Sequence, residues 1–229
     1  LAQRGAQVAL LARRKDRLAG AAEEAGGGAL AVPCDATDMD SCRAAVDEAV
    51  AGLGGLDALV YAPAIGPLRR IEDHDADLWR AVFDTNVIGA SLVTTAALPH
   101  LKASSGTAAY LSSVSASQTP PWPGLSSYAV SKAALDKLVD AWRAEHPDVG
   151  FTRVVVGDCA GGEGDSLTEF ANSWDPELAG ELMPTWVARN YLAGNLMPVE
   201  RLVEVLEVVL QAGAADAIPS IIVAPRHAS

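Results

Sequence analysis

A chain of 229 residues is long enough for one α/β domain with a real core, and no linker-like stretch divides it. A formal net charge of −12 argues against a nucleic-acid-binding surface and fits a protein kept apart by self-repulsion. Half of the residues are hydrophobic but only 5% are aromatic, so the expected core is mostly Ala, Val and Leu.

In chain order, "AQVALLA" (6–12) reads as a strand and 15–25 as a helix, followed by a strand at "GALAVP" (28–33). The next helix, 39–53, has acidic residues before its apolar stripe and glycines after it. "LDALVYA" (56–62) is a strand, 75–102 a long helix, "TAAYLSS" (107–113) a strand and 127–146 a helix. "FTRVVVG" (151–157), a helix over 198–212 with Pro near its start, and "PSIIVAP" (219–225) complete the series. The strands are almost continuously apolar, as strands buried on both faces of a parallel sheet are. Alternation of this kind predicts an α/β fold, a doubly wound Rossmann-type parallel sheet with helices on both faces, in one domain spanning 1–229. "TPPWPG" (119–124) reads as a rigid loop. The stretch 158–197 is the least regular, and in such folds a segment there is a candidate substrate-side lid.

Several chemistries are disfavoured. Cys34, Cys42 and Cys159 are three, widely spaced and without a C-x-x-C pair, so neither a disulfide framework nor zinc is expected, and a reducing cytoplasm fits. His74, His100, His146 and His227 are scattered and support neither a metal site nor a triad. No apolar run approaches membrane-spanning length, and "LAQRGAQVALLARR" has no signal-peptide pattern.

What remains is one grouping. In "SSYAVSKAAL" (126–135), Tyr128 and Lys132 are four apart, on one face of a helix. Ser112 and Ser113 lie at the carboxyl end of the preceding strand, and Asn86 sits inside a long helix where its propensity is poor. All can converge above one sheet edge. For Asn86, a helix-bending role stands beside a catalytic one.

In order and approximate spacing, "YAVSKAAL", "LSSV" and "NVIG" resemble the three catalytic segments of the short-chain dehydrogenase/reductase family. The resemblance implies an oxidoreductase that moves hydride between NADP(H) and a ketone, aldehyde or alcohol. Tyr128 would be the acid–base group, and Lys132 its activator and the clamp on the nicotinamide ribose. Ser113 would orient the substrate, with Ser115 competing for that role, and Asn86 would hold a relay water. A phenol with an ordinary pKa of about 10 needs help at neutral pH, and a neighbouring ammonium favours phenolate. A small neutral hydroxyl suits the serine role. No metal is required. The family usually forms dimers or tetramers through the helices that carry Asn86 and Tyr128, so a homodimer or homotetramer is expected.

The second strand of such folds ends in an acid when the ribose 2′-hydroxyl is bound, and arginine accommodates a 2′-phosphate. Here Ala12 stands in that place, followed by Arg13 and Arg14, which favours NADP(H); two solvated surface arginines are the alternative. Asp35 in "PCDATD" matches the family's adenine-contacting aspartate, with Ala36 beside it. The alternative for Asp35 is the N-cap of the next helix, which Asp38 could supply instead. Two cofactor-facing loops depart from the family's pattern. Tyr61-Ala62-Pro63-Ala64 stands where "NNAG" is usual, and Asp158-Cys159 replaces Pro-Gly, putting Asp158 by the nicotinamide. The glycine-rich pyrophosphate turn and the strand before it are not in the sequence, roughly the first twenty-odd residues of a dinucleotide unit. A chain truly starting at Leu1 would be unstable or rearranged. The rivals are a non-catalytic dinucleotide-binding sensor or scaffold of the same fold, and a structural fragment. Trp122, Trp174 and Trp186 are candidates for an apolar pocket, with a core or interface role as the alternative.

Overall fold

The computed structural model describes residues 1–161, 169–212 and 216–226; His227 therefore lies outside the described residues, as does 162–168 of the expected lid. Among the described residues six strands form, five inside their expected segments and β5 starting one residue early: β1 (Ala9–Ala12), β2 (Leu30–Pro33), β3 (Ala58–Tyr61), β4 (Thr107–Ser113), β5 (Gly150–Val156) and β6 (Ser220–Val223). Every pairing between them is parallel, with Ser113 of β4 opposite Val156 of β5 at the carboxyl end.

The described strands form two sheets, β1-β2 and β3-β4-β5-β6. The orders β2-β1 and β3-β4-β5-β6 each match a part of the doubly wound order. β1 has a ladder partner only in β2, and β3 only in β4. Leu10, Leu11, Leu59 and Val60 are accordingly only partly buried. Leu11 and Leu59 nevertheless pack against the same core cluster, so both sheets rest on one helical layer.

That layer comprises α2 (Met39–Leu53), α4 (Gly89–Ser104) and α6 (Ser126–Glu145), whose Val46, Ala97, Leu101, Leu135 and Val139 are buried together. On the opposite face, α8 (Val199–Leu210) sets Leu202, Leu206 and Val209 against Ala109 and Val154. α1 (Lys15–Ala25) runs between β1 and β2. The caps explain the boundaries of α2. Asp38 Oδ1 accepts from Ser41 N at 2.7 Å, and Gly54 ends the helix at φ 80°, where a side chain would be strained.

Three expectations are corrected. The helix expected over 75–102 is α3 (Ala76–Phe83), a π-helical segment (Asp84–Ile88) and α4, because one extra residue is accommodated around Asn86. This span, Ala76–Ser104, is long and apolar enough by composition to cross a membrane, although 39% of its most apolar window is buried in the core. The irregular stretch 158–197 contains a thirteen-residue helix, α7 (Pro176–Ala188), capped by Asp175, with Pro at its first position and Leu182 and Trp186 buried. A short helix, α5 (Val114–Ser117), follows β4.

Candidate active site

Strand β4 delivers Ser113 to the sheet's carboxyl edge, and α6 begins after the proline loop with Tyr128 in its first turn. Ser113 Oγ is 2.9 Å from Ser115 Oγ and accepts from Ser115 N at 3.2 Å, so both serines are buried in one hydroxyl pair. Ser113 also lies beside the Tyr128 hydroxyl. Tyr128 as a residue is partly exposed, but its hydroxyl end is enclosed, and desolvation pushes its pKa up to about 12 against the opposing effect of Ser113. Lys132 Nζ stands 5.7 Å from the centre of the Tyr128 ring and donates to Leu111 O at 2.6 Å. Burial lowers the Lys132 ammonium to about 8, with Asp136 acting in the other direction. Desolvation is the largest effect on the Tyr128 hydroxyl, while the Lys132 ammonium is turned toward a β4 carbonyl.

Asn86 is fully buried in the π segment. Its Nδ2 donates to Ile65 O at 2.9 Å and to Ser131 Oγ at 2.8 Å, and its Oδ1 accepts from Ile65 N at 2.8 Å. It therefore staples the loop after β3 to α6, between Tyr128 and Lys132 in sequence. The π turn aims it there, and Tyr61 braces the turn from below by donating to Thr85 O at 2.6 Å. The Tyr61 side chain points into the core, where burial raises its pKa, and only its backbone faces the edge that Ala62 exposes.

Sequence reasoning missed Phe170. Its ring packs on Tyr128 with centroids 4.7 Å apart, and a Cβ on Gly66 would lie 2.3 Å from Phe170 and 3.2 Å from Tyr128. Trp174 backs Phe170 at 5.4 Å and donates to Gly66 O at 2.8 Å. Trp122 and Trp186 stand 5.6 Å apart in the cluster behind, with Leu68, Leu125 and Leu182. Of this wall, the sequence had marked only Trp122, Trp174 and Trp186, as pocket candidates with a core or interface role as the alternative. A 240 Å³ cleft between the ends of β4 and β5 is lined by Val114, Gly157, Asp158, Asn190, Tyr191 and Pro225.

On the nucleotide side, Arg13 and Arg14 are exposed at the end of β1. Arg13 is near enough to Asp35 to help hold that carboxyl low, although Thr37 does more, through its N–H at 3.0 Å and hydroxyl at 2.7 Å. Asp38 takes the helix cap, so Asp35 is not needed for it. Ala36 lies next to Asp35, partly buried. Asp158 is not simply aimed at a ligand: its Oδ2 accepts from Ala193 N at 2.9 Å and its carbonyl from Met197 N, tying the loop before α8 to β5.

The α/β sheet thus gathers Ser113, Tyr128, Lys132 and Asn86 at its carboxyl edge, where ligands of doubly wound folds sit. The sequence profile described as "short chain dehydrogenase" matches residues 1–175, and the chain belongs to that family. Among its relatives is "11-beta-hydroxysteroid dehydrogenase-like 2" of Arabidopsis thaliana, 34% identical over 165 residues, which are 68% of this chain and 52% of that protein. "11-beta-hydroxysteroid dehydrogenase 1A" of the same plant is 39% identical over 160 residues, 67% of this chain and 45% of that protein. The chain thus spans about half the length of these curated relatives. A short-chain type dehydrogenase/reductase from Mycobacterium marinum superposes with a TM-score of 0.81 at 26% identity, covering 97% of this chain and 86% of that one. A Thermococcus sibiricus alcohol dehydrogenase complexed with 5-hydroxy-NADP shares the fold at TM-score 0.79 and 21% identity, over 97% of this chain and 87% of that one.

Proposed function

We propose that this chain exchanges hydride between NADP(H) and a small ketone, aldehyde or alcohol, with Tyr128 as the acid–base group. What carries this is the meeting of Tyr128, Lys132, Ser113 and Asn86 around the first two turns of α6. The nicotinamide, when bound, supplies or accepts the hydride. The chain supplies the proton and the positioning. Tyr128, kept protonated by burial, gives its proton to a carbonyl oxygen, and in the reverse direction its phenolate takes one from an alcohol. Ser113 Oγ, fixed by Ser115, holds that oxygen in place. The Lys132 ammonium would offset the charge left on the phenolate and hold the ribose hydroxyls of a bound cofactor, while Asn86 fixes the loop and helix beside them. Arg13 and Arg14 would take a 2′-phosphate bidentately, and Asp35 with Ala36 the adenine edge. Backbone at Tyr61 and Ala62 would line the middle of the cofactor, and Asp158 acts from behind, holding its loop.

The covering of Tyr128 by Phe170 favours one rival, a protein that binds dinucleotide without turnover. A panel of ketones and aldehydes, assayed for NADPH and NADH oxidation alongside binding of each nucleotide, separates the two. Turnover with preference for NADPH is expected. Binding without turnover on any member would favour the sensor.

A further inference from the structure

Tyr128 and Lys132 begin a longer stripe. Residues 128, 132, 136 and 140 recur every fourth position on α6, so they share one helix face, which lies over β4 and β5. Lys132 is 2% exposed and Asp136 5%. Lys132 reaches Leu111 O, and Asp136, one turn further along, faces Ser112, the next residue of β4. The carboxyl and the hydroxyl are close enough to affect each other, yet neither Asp136 Oδ1 nor Ser112 Oγ, both buried, makes a hydrogen bond of normal geometry. A buried carboxylate in that condition is costly unless cations stand near it.

Two do. Lys132 is the first. The second is Arg153 of β5, whose Nε has no partner and whose Nη1 lies 3.7 Å from Asp140 Oδ2. Asp140 also meets Lys137 at 3.3 Å and Arg143 at 3.1 Å. From the site outward the charges alternate along α6 and β5: Lys132, Asp136, Arg153, Asp140, then Lys137 and Arg143. Around Asp136, burial raises the carboxyl's pKa and Asp140 adds to this, while Ser112, Arg153 and Lys132 oppose it.

We propose that Asp136 is a positioning residue whose buried carboxylate keeps Lys132 in its ammonium form, with Nζ held between Leu111 O and the Tyr128 ring. This rests on the role given to Lys132 above. A neutral amine at that place would neither offset a phenolate nor hold ribose hydroxyls as strongly. The carboxylate reaches cofactor and substrate only through the lysine.

The test compares Asp136→Asn and Asp136→Glu with the unmodified chain. The first readout is thermal stability against pH without ligand. Folded Lys132 loses its proton near 8 and the unfolded lysine near 10.5, so the unfolded chain holds more protons in that window and stability rises with pH through it. Lys132→Met should abolish the rise, which assigns it. In Asp136→Asn the rise should begin about one pH unit lower, while Asp136→Glu follows the unmodified chain. A rise at unchanged pH in folded Asp136→Asn, or the same displacement in Asp136→Glu, overturns the proposal. If Asp136→Asn does not fold by circular dichroism, Asp136→Ser, which leaves room for water beside Ser112, takes its place with the same expected displacement. The second readout is NADPH affinity against pH, whose alkaline limb should move down by the same amount. A displaced stability curve with no NADPH binding in any variant would leave the inference standing and remove the functional reading. NADPH binding and turnover with both curves undisplaced would do the reverse.

Discussion

Burial pushes the Tyr128 hydroxyl up to about 12, and in the acid–base role proposed above the sign of that shift separates the two directions of the reaction. Reduction needs the phenol, which is essentially all present at neutral pH; oxidation needs the phenolate, whose fraction grows about tenfold per pH unit. Between about pH 5 and 7.5, carbonyl reduction is therefore expected to be nearly flat and alcohol oxidation to climb. Initial rates in both directions test this, and parallel profiles would remove Tyr128 from the role. Tyr128→Phe should lower turnover more than about a hundredfold while leaving NADPH affinity within about threefold. Arg13→Ala should weaken NADPH by about tenfold and spare NADH, because a hydrogen bond to a charged group is worth about 1.5–3 kcal/mol and an exposed one sits at the low end. Equal losses for both nucleotides would show that Arg13 does not read the phosphate. Tyr128, Lys132 and Ser113 were legible in the sequence because helix period and strand ends place them without knowledge of the tertiary fold. Asp38 rather than Asp35 as the α2 cap was an open choice that only backbone geometry closes. The inward turn of Tyr61 and the contact of Phe170 were illegible, since each depends on a partner distant in sequence.

Between residue and molecule, the elements were the most legible level, because the strands are short apolar runs and α2 carries a cap at each end. The π segment at Asp84–Ile88 escaped, since the apolar pattern runs through it unbroken and an extra residue in a turn leaves no compositional mark. Its support is testable at Gly89, where α4 begins. A Cβ there would stand 2.6 Å from Tyr61 Oη and 3.1 Å from both Ala36 O and Asp84 O. Helix propensity alone would make Gly89→Ala stabilising by about 1 kcal/mol. The crowding acts oppositely: Tyr61 must give up its bond to Thr85 O, and overpacking of this kind costs about 1–3 kcal/mol. A net loss is expected, read as a lower urea midpoint with unchanged slope. Turnover should fall with it, because the turn that aims Asn86 is disturbed. A stabilised Gly89→Ala would show that the Tyr61 brace is soft and that the π turn does not depend on it. Helix α7 escaped for another reason: Pro184 lies inside it and breaks the periodic pattern, although Asp175-Pro176 marks its start.

At the scale of the whole molecule, the sheet is divided while the helical layer beneath it is continuous. The expected strand order is met on both sides of the division, and no ladder joins β1 to β3 among the described residues. In a parallel sheet each strand sends alternate N–H groups to alternate neighbours. Half of the β1 and β3 amides therefore lack a ladder acceptor, on strands whose side chains are only partly buried. Such groups are either solvated or left unsatisfied at about 1–3 kcal/mol each. In both cases they open more easily than those of β4 and β5, which are paired on both sides. For the 229-residue chain, amide hydrogen exchange in β1 and β3 is expected to run at least about a hundredfold faster than in β4 and β5. Because Ser113, Tyr128 and Lys132 of the candidate site are anchored on β4 and α6, their surroundings should stay protected while the edge with Arg13 and Asp35 exchanges. Uniform slow exchange over all six strands would mean that β1 and β3 find ladder partners in solution. That result would overturn the division of the sheet, and with it the contrast between a firm β4–β5 half and a looser β1–β3 edge.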